Sequence, residues 1–159
     1  MDVVVEESPV SYDNNMDVSR IGSTSLQEEY VLKLWNEYIN ETLVETTPCE
    51  IGIYEWKHNK TIAASKKFKI SPEELQNIKD GMDCPNVVYR KGLTVDGCHY
   101  NVQLADGKHG IYARTLDKGC TVCKTFTLVI IATNGPDVKS SRCNEEIMKL
   151  GDFLQRLGL

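Results

Sequence analysis

From Ser25 the chain changes from irregular polar sequence to a helical period. Val31, Leu34, Trp35, Tyr38, Ile39, Thr42 and Leu43 recur at i, i+3 and i+4 spacing, with Lys33, Glu37 and Glu41 between them. This predicts an amphipathic helix to about Val44 with one docked face. Ser25-Leu26-Gln27-Glu28 provides its start as a capping box, in which the Ser and Glu side chains satisfy orphan amides. Glu50 to Trp56 and Thr61 to Ser65 then read as two short strands around a Lys57-His58-Asn59-Lys60 turn. Ser71-Pro72-Glu73-Glu74 combines an N-cap, a first-position Pro and a capping-box Glu, predicting a short helix to about Lys79.

After Pro85 the period becomes two. Asp96-Gly97, Asp106-Gly107, Lys118-Gly119 and Asn134-Gly135 divide the stretch into the strands of an antiparallel meander. Thr121 to Ala132, with Phe126, Leu128, Val129, Ile130 and Ile131, reads as a central strand covered on both faces. The last element, Ser141 to Leu157, is amphipathic again, with Cys143, Ile147, Leu150, Leu154 and Leu157 on one face and Gly151 there to admit a close neighbour. The order implies an α+β domain, an antiparallel sheet covered by terminal helices. Before it, residues 1–25 are rich in Ser, Asn and Asp without sustained period, and read as a disordered tail preceding a domain over 26–159.

Charge sharpens that division. The tail carries Asp2, Glu6, Glu7, Asp13 and Asp17 against Arg20, a balance of −4 within the chain's −5, so the remainder is nearly neutral. A near-neutral body argues against duplex nucleic acid as partner, which calls for a broad basic footprint. No apolar run approaches a membrane span and no basic-then-apolar leader opens the sequence, so a cytoplasmic location is expected. The spacing of Cys49, Cys84, Cys98, Cys120, Cys123 and Cys143 fits no small secreted framework, and reduced thiols are expected.

Candidate chemistry is sparse. Cys120-Thr121-Val122-Cys123 has CxxC spacing, but on a strand residues three apart point to opposite faces, and no second ligand pair completes a metal site. These cysteines are read as buried structural groups. His58, His99 and His109 have no nucleophile-elbow serine to serve, and the glycines do not form a phosphate-cradling loop. An enzyme is not expected, nor a cofactor or metal. Lys57, His58, Lys60, Lys66, Lys67 and Lys69 concentrate positive charge in one hairpin and its exit, either as a solvated surface or as a seat for anionic lipid. Trp35 and Tyr38 stand side by side on the first helix; periodicity alone assigns such a pair to the core.

Trp35-Asn36-Glu37-Tyr38-Ile39 resembles the first helix of the profilins, which opens on Trp-x-x-Tyr-Ile. The resemblance continues in family order through Ile62-Ala63-Ala64-Ser65, Lys69-Ile70-Ser71-Pro72-Glu73-Glu74 and Gly92-Leu93-Thr94-Val95-Asp96-Gly97, and covers residue 30 to the end. Gly110-Ile111-Tyr112-Ala113-Arg114, Lys124-Thr125, Ile130-Ile131-Ala132-Thr133 and Leu150-Gly151-Asp152-Phe153-Leu154 are most similar to the divergent fourth vertebrate, testis-type branch. The resemblance implies a central antiparallel sheet with the terminal helices on one face and a short helix on the other. It also implies a monomeric cytoskeletal protein that binds monomeric actin and proline-rich segments, and in many members phosphoinositides.

Residue by residue, Arg114, Val138 and Asn144 match the family's actin face, and Lys139 replaces its customary His. Leu104, Leu116 and Glu145 stand where actin-binding members carry basic residues, which lowers complementarity to actin's acidic surface. In the proline groove Trp35 and Tyr38 match, whereas Ile62, Phe153 and Leu159 replace Trp, His and Tyr, removing stacking area and hydrogen-bond donors. The lipid set would be Lys57, Lys60, Lys66, Lys67 and Lys69. Two rival readings follow. One is a divergent profilin acting through anionic lipid; the other is a PAS- or GAF-like sensor, which needs an apolar cavity of roughly 300 Å³ or more.

Overall fold

Alternating burial along the strands and helix-capping signals between them account for most of the architecture. The computed structural model describes residues 33–39 and 49–159. The Ser25 capping box, the tail over 1–25, and Val31, Thr42, Leu43 and the helix end near Val44 lie outside the described residues. The chain divides into two units, Met1–Trp35 and Asn36–Leu159. Residues 33–39 are helical (α1). Then follow β1 (Glu50–Glu55), β2 (Thr61–Ala64), α2 (Pro72–Asp83), α3 (Pro85–Lys91), β3 (Leu93–Val95), β4 (Cys98–Ala105), β5 (Gly110–Thr115), β6 (Lys118–Lys124), β7 (Leu128–Asn134) and α4 (Ser140–Arg156). The strands form one seven-stranded antiparallel sheet in the order β2-β1-β7-β6-β5-β4-β3.

The period-2 pattern sends side chains to two cores. On one face Tyr54, Ile111, Ala113, Cys120, Val122, Val129 and Ile131 pack with Leu75, Ile78, Met82 and Val88 of α2 and α3. On the other lies α4, against β6 and β7, with Cys143, Ile147, Leu150 and Leu154 buried. Gly151 makes that approach possible, because a Cβ there would overlap Cys123 Sγ. Cys120 and Cys123 are thus buried on opposite faces of β6, as the strand geometry requires.

Several expectations are corrected. The Ser71 capping box is present, with Ser71 Oγ accepting from Glu74 N and Glu74 Oε1 from Ser71 N, both at 3.1 Å, but its helix continues past Lys79 to Asp83. Residues after Pro85 form α3 rather than a strand: Pro85 starts it, Val88 is buried beside Gly81, and Gly92, at φ 74°, donates to Val88 O at 2.7 Å to end it. The run Thr121 to Ala132 is not one strand but the ends of β6 and β7. Thr125 makes their turn, its Oγ1 accepting from Leu128 N at 3.0 Å, and Phe126 is 68% exposed at the tip. Lys118-Gly119 belongs to β6, and the chain reverses at Leu116-Asp117, where Leu116 takes φ 49°. Leu157, assigned to the buried face, is exposed beyond the end of α4, and Leu34 and Tyr38 are exposed on α1.

Candidate protein-binding faces

Helix α4 packs on β6 and β7, and among the described residues Leu104 of β4 and Arg114 of β5 are exposed beside it. On β5 the alternation directs Ile111 and Ala113 into the α2–α3 core, and Gly110, Tyr112 and Arg114 to the α4 side. Two rungs of the β5–β6 ladder connect β5 to the helix. Arg114 pairs with Gly119, which lies beneath Ser140 Oγ at the start of α4. Tyr112 pairs with Thr121, whose Oγ1 donates to Asn144 Oδ1 at 3.3 Å. Lys139 is the N-cap residue of α4, and its carbonyl accepts from Arg142 N and Cys143 N at 3.0 and 3.2 Å. The Val138 carbonyl accepts from the buried Asn134 Nδ2 at 3.1 Å. The ladder thus ties Arg114 to the start of α4, which carries Lys139 at its N-cap and Asn144 in its second turn.

Sequence reading missed two residues that line a groove with Asn144. Tyr112 and Met148 line a groove of about 130 Å³ with Leu104, Asp106, Gly110 and Asn144. The signal was available in the alternation of β5, which puts Tyr112 on the same side as Arg114. Leu104, 62% exposed, gives the groove an apolar edge, and Leu116 is 95% exposed in the β5–β6 turn. Asp106 closes the loop at its end, its Oδ1 accepting from the amides of Lys108, His109 and Gly110. Partial burial raises the Asp106 pKa, but these three amides and His109 outweigh that and hold it below the ordinary carboxylate value.

The aromatic set is less complete. Tyr38 and Phe153 are both exposed, against the core assignment for Tyr38, while Trp35 and Ile62 are half-buried. Asn36 Oδ1 accepts from Ala64 N at 3.1 Å, tying α1 to the strand that carries Ile62. Leu159 is anchored: its amide donates to Leu154 O at 2.9 Å, and its carbonyl accepts from the Thr127 amide and hydroxyl at 2.8 and 3.1 Å. Exposed Phe126 is the residue before Thr127, an aromatic group at this end of the sheet that periodicity had assigned to a strand.

The hairpin lysines Lys57, Lys60, Lys66, Lys67 and Lys69 are all exposed. The fold adds two more to them. Lys79 Nζ and Lys124 Nζ lie 5.4 and 4.2 Å from the Trp56 ring centroid, and Lys79 donates to Asn59 Oδ1 at 2.7 Å.

Local pairing accounts for the histidines: His58 with Glu55 at 2.9 Å, His109 with Asp106 at 3.5 Å, and His99 with the Lys91 carbonyl at 2.9 Å. All six cysteines are free. Burial pushes Cys120 up to about 12 and Cys123 up to about 11, so neither is a ready thiolate. A cleft of about 290 Å³ at one end of the sheet is bordered by Glu50, Asp96, Lys118 and Asn134, a charged opening unlike the apolar enclosure a sensor domain would need. Among the described residues no helix is long and apolar enough to cross a membrane.

A curled antiparallel sheet with α4 on one face and α2 and α3 on the other is the profilin architecture. The profilin family pattern matches residues 33–159, and the chain belongs to that family of non-enzymatic, actin-binding regulators of the cytoskeleton. It is 31% identical over 96 residues to profilin-4 of Bos taurus, covering 60% of this chain and 74% of that one, consistent with the branch its motifs resemble. The solved structure of Acanthamoeba castellanii profilin IB superposes with a TM-score of 0.72 at 21% identity, over 79% of this chain and 99% of that one. Mouse profilin IIa, solved in complex with a double repeat from the FH1 domain of mDia1, gives 0.56 at 18% identity, over 69% and 88%.

Proposed function

We propose that this profilin binds monomeric actin through exposed residues of β4 and β5 beside α4, and so regulates filament assembly in the cytoplasm without chemistry of its own. The observation that carries this reading is the pair of ladder rungs, Arg114–Gly119 and Tyr112–Thr121, that join β5 to the first turns of α4. Arg114 supplies the positive charge, with Lys139 at the helix start. Leu104, Tyr112 and Met148 supply apolar area. Contact through fewer charges than a basic face would give implies an interaction less sensitive to salt. The test is calorimetric titration into ATP-bound monomeric actin at low and moderate salt. Micromolar binding that varies little with salt supports the reading; no heat at either salt overturns it.

Proline-rich segments are the second partner. The mouse relative's FH1 complex supports the class of ligand, and the family positions that would meet it include Tyr38, Phe153, Leu159 and Ile62. With two rings and a His of the family pattern replaced, binding is weaker than in profilins that retain them.

A further reading, that the hairpin lysines meet anionic lipid, gains support from Lys79 and Lys124, which flank Trp56 beside the same turn. The acidic residues 1–25 would compete for that patch. Liposome cosedimentation with and without residues 1–25 tests both statements: tighter binding on deletion supports them, and no phosphoinositide dependence in either form overturns them.

A further inference from the structure

The β6–β7 turn carries the most exposed aromatic side chain among the described residues, Phe126 at 68%. Its backbone is held on three sides. Leu128 N donates to Thr125 Oγ1 at 3.0 Å, and Trp56 N donates to the Thr127 carbonyl at 2.8 Å. The Thr127 amide and hydroxyl donate to the Leu159 carbonyl at 2.8 and 3.1 Å. A fixed turn therefore presents the ring to solvent.

Strand register sets what surrounds it. Glu55 pairs with Leu128, so the β6–β7 turn and the β1–β2 turn emerge at the same end of neighbouring strands. That brings Phe126 beside the exposed Lys57 and Lys60. Trp56 links the two turns further. Lys124 Nζ, from the strand that enters the Phe126 turn, lies 4.2 Å from the Trp56 ring centroid. Lys79 Nζ lies 5.4 Å from it and donates to Asn59 Oδ1 at 2.7 Å. Glu55, the hairpin's carboxylate, pairs with His58 at 2.9 Å. Lys66, Lys67 and Lys69 are placed differently: Gly52 pairs with Ala64, so the chain leaves β2 at the opposite end of β1, away from Phe126.

We propose that this end of the sheet docks on a bilayer of anionic phospholipid, with Phe126 entering the boundary between headgroups and acyl chains and Lys57, Lys60, Lys79 and Lys124 meeting the phosphates. The proposal rests on the lipid reading above and deepens it, naming a bilayer as the partner rather than a headgroup alone, and dividing the lysines into two sets. An aromatic ring flanked by ammonium groups suits that boundary, where one side of the contact is apolar and the other carries negative charge. Neither kind of group suffices by itself. The lysines give an attraction that falls with salt, and one ring buries too little area to hold the protein alone. Together they make binding that needs both the anionic surface and the apolar layer beneath it.

The test is cosedimentation of the full chain with vesicles of phosphatidylcholine alone, and of phosphatidylcholine with phosphatidylserine and phosphatidylinositol bisphosphate, beside titration with soluble inositol trisphosphate. Phe126→Ala should weaken binding to the anionic vesicles by about tenfold and leave binding of the soluble headgroup unchanged. Phe126→Trp should retain binding, and brominated acyl chains should quench its fluorescence beyond their effect on the parent, which carries Trp35 and Trp56. Lys57→Gln with Lys60→Gln should weaken binding more than Lys66→Gln with Lys67→Gln. Equal vesicle binding by Phe126→Ala, no added quenching in Phe126→Trp, or the larger loss from the Lys66 and Lys67 pair would overturn the proposal and leave the lipid reading standing. Phe126→Ala that loses affinity for a proline-rich peptide but not for vesicles overturns it as well, assigning the turn to that ligand. No binding of the parent to any anionic vesicle overturns both.

Discussion

Glu74 Oε2 accepts a hydrogen bond from the Gly97 amide at 2.9 Å, joining the first turn of α2 to the β3–β4 turn across 23 residues of sequence. Its Oε1 accepts from Asp96 N at 3.2 Å and from Ser71 N at 3.1 Å. One carboxylate thus closes the capping box and holds a turn whose residues both have positive φ, 50° at Asp96 and 78° at Gly97. Glu74→Ala removes three acceptor contacts at once. Its cost should exceed that of an ordinary cap substitution, at about 2 kcal/mol by urea denaturation, while Glu73→Ala should change stability by less than about 0.5 kcal/mol.

Gly151 and Cys123 should be energetically coupled. A Cβ at Gly151 meets the Cys123 sulfur, so Gly151→Ala must displace α4 or β6. Overpacking of this kind costs about 1–3 kcal/mol. Cys123→Ala vacates the same space, and the double variant should recover much of the loss. Additive costs in thermal or urea unfolding would mean that the helix shifts freely instead.

Charge on the exposed residues beside α4 should tune actin affinity without altering the fold. Arg114→Glu should weaken binding by about tenfold or more, equivalent to about 1.4 kcal/mol. Leu104→Lys, on a side chain 62% exposed, should strengthen binding and steepen its salt dependence. Titration of both variants against monomeric actin reads both effects, and unfolding midpoints close to the parent confirm that the fold is intact.

Asp106 should contribute to acid sensitivity. Its pKa is depressed in the folded protein, so its stabilising contribution is complete above the ordinary value of 3.8 and is lost as pH falls through the lower native value. Asp106→Asn should therefore narrow the stability difference between neutral pH and strongly acid solution. Denaturant midpoints compared across that range check the sign.

Most of the local structure was legible in the sequence. Ser71-Pro72-Glu73-Glu74 announced α2, and the period of Cys143, Ile147, Leu150 and Leu154 announced α4, because caps and amphipathic faces depend on residues three or four apart. What failed also had a local cause. Val87 and Val88 are β-branched, so α3 read as extended, whereas the packing of Val88 beside Gly81 and the bonds of Tyr89 Oη with the Ala105 amide and carbonyl add to its Pro85 start and Gly92 cap in favouring the helix. The β6–β7 turn has no Gly, Pro, Asn or Asp, and the Thr125 hydroxyl does that work, so the two strands read as one.

The candidate surfaces divide in the same way. The sequence by itself determined which residues resemble the actin face, where the lysines cluster, and that Cys120 and Cys123 diverge across a strand, since each follows from residue type and strand or helix period. Tertiary structure alone decided that Tyr112 and Met148 share a groove and that Lys79 and Lys124 converge on Trp56. The physical reason is strand register: which residue faces which across β5, β6 and β7, and where α4 settles on them, is fixed by hydrogen-bonded pairing and close packing between segments far apart in the chain, and no local pattern encodes those pairings.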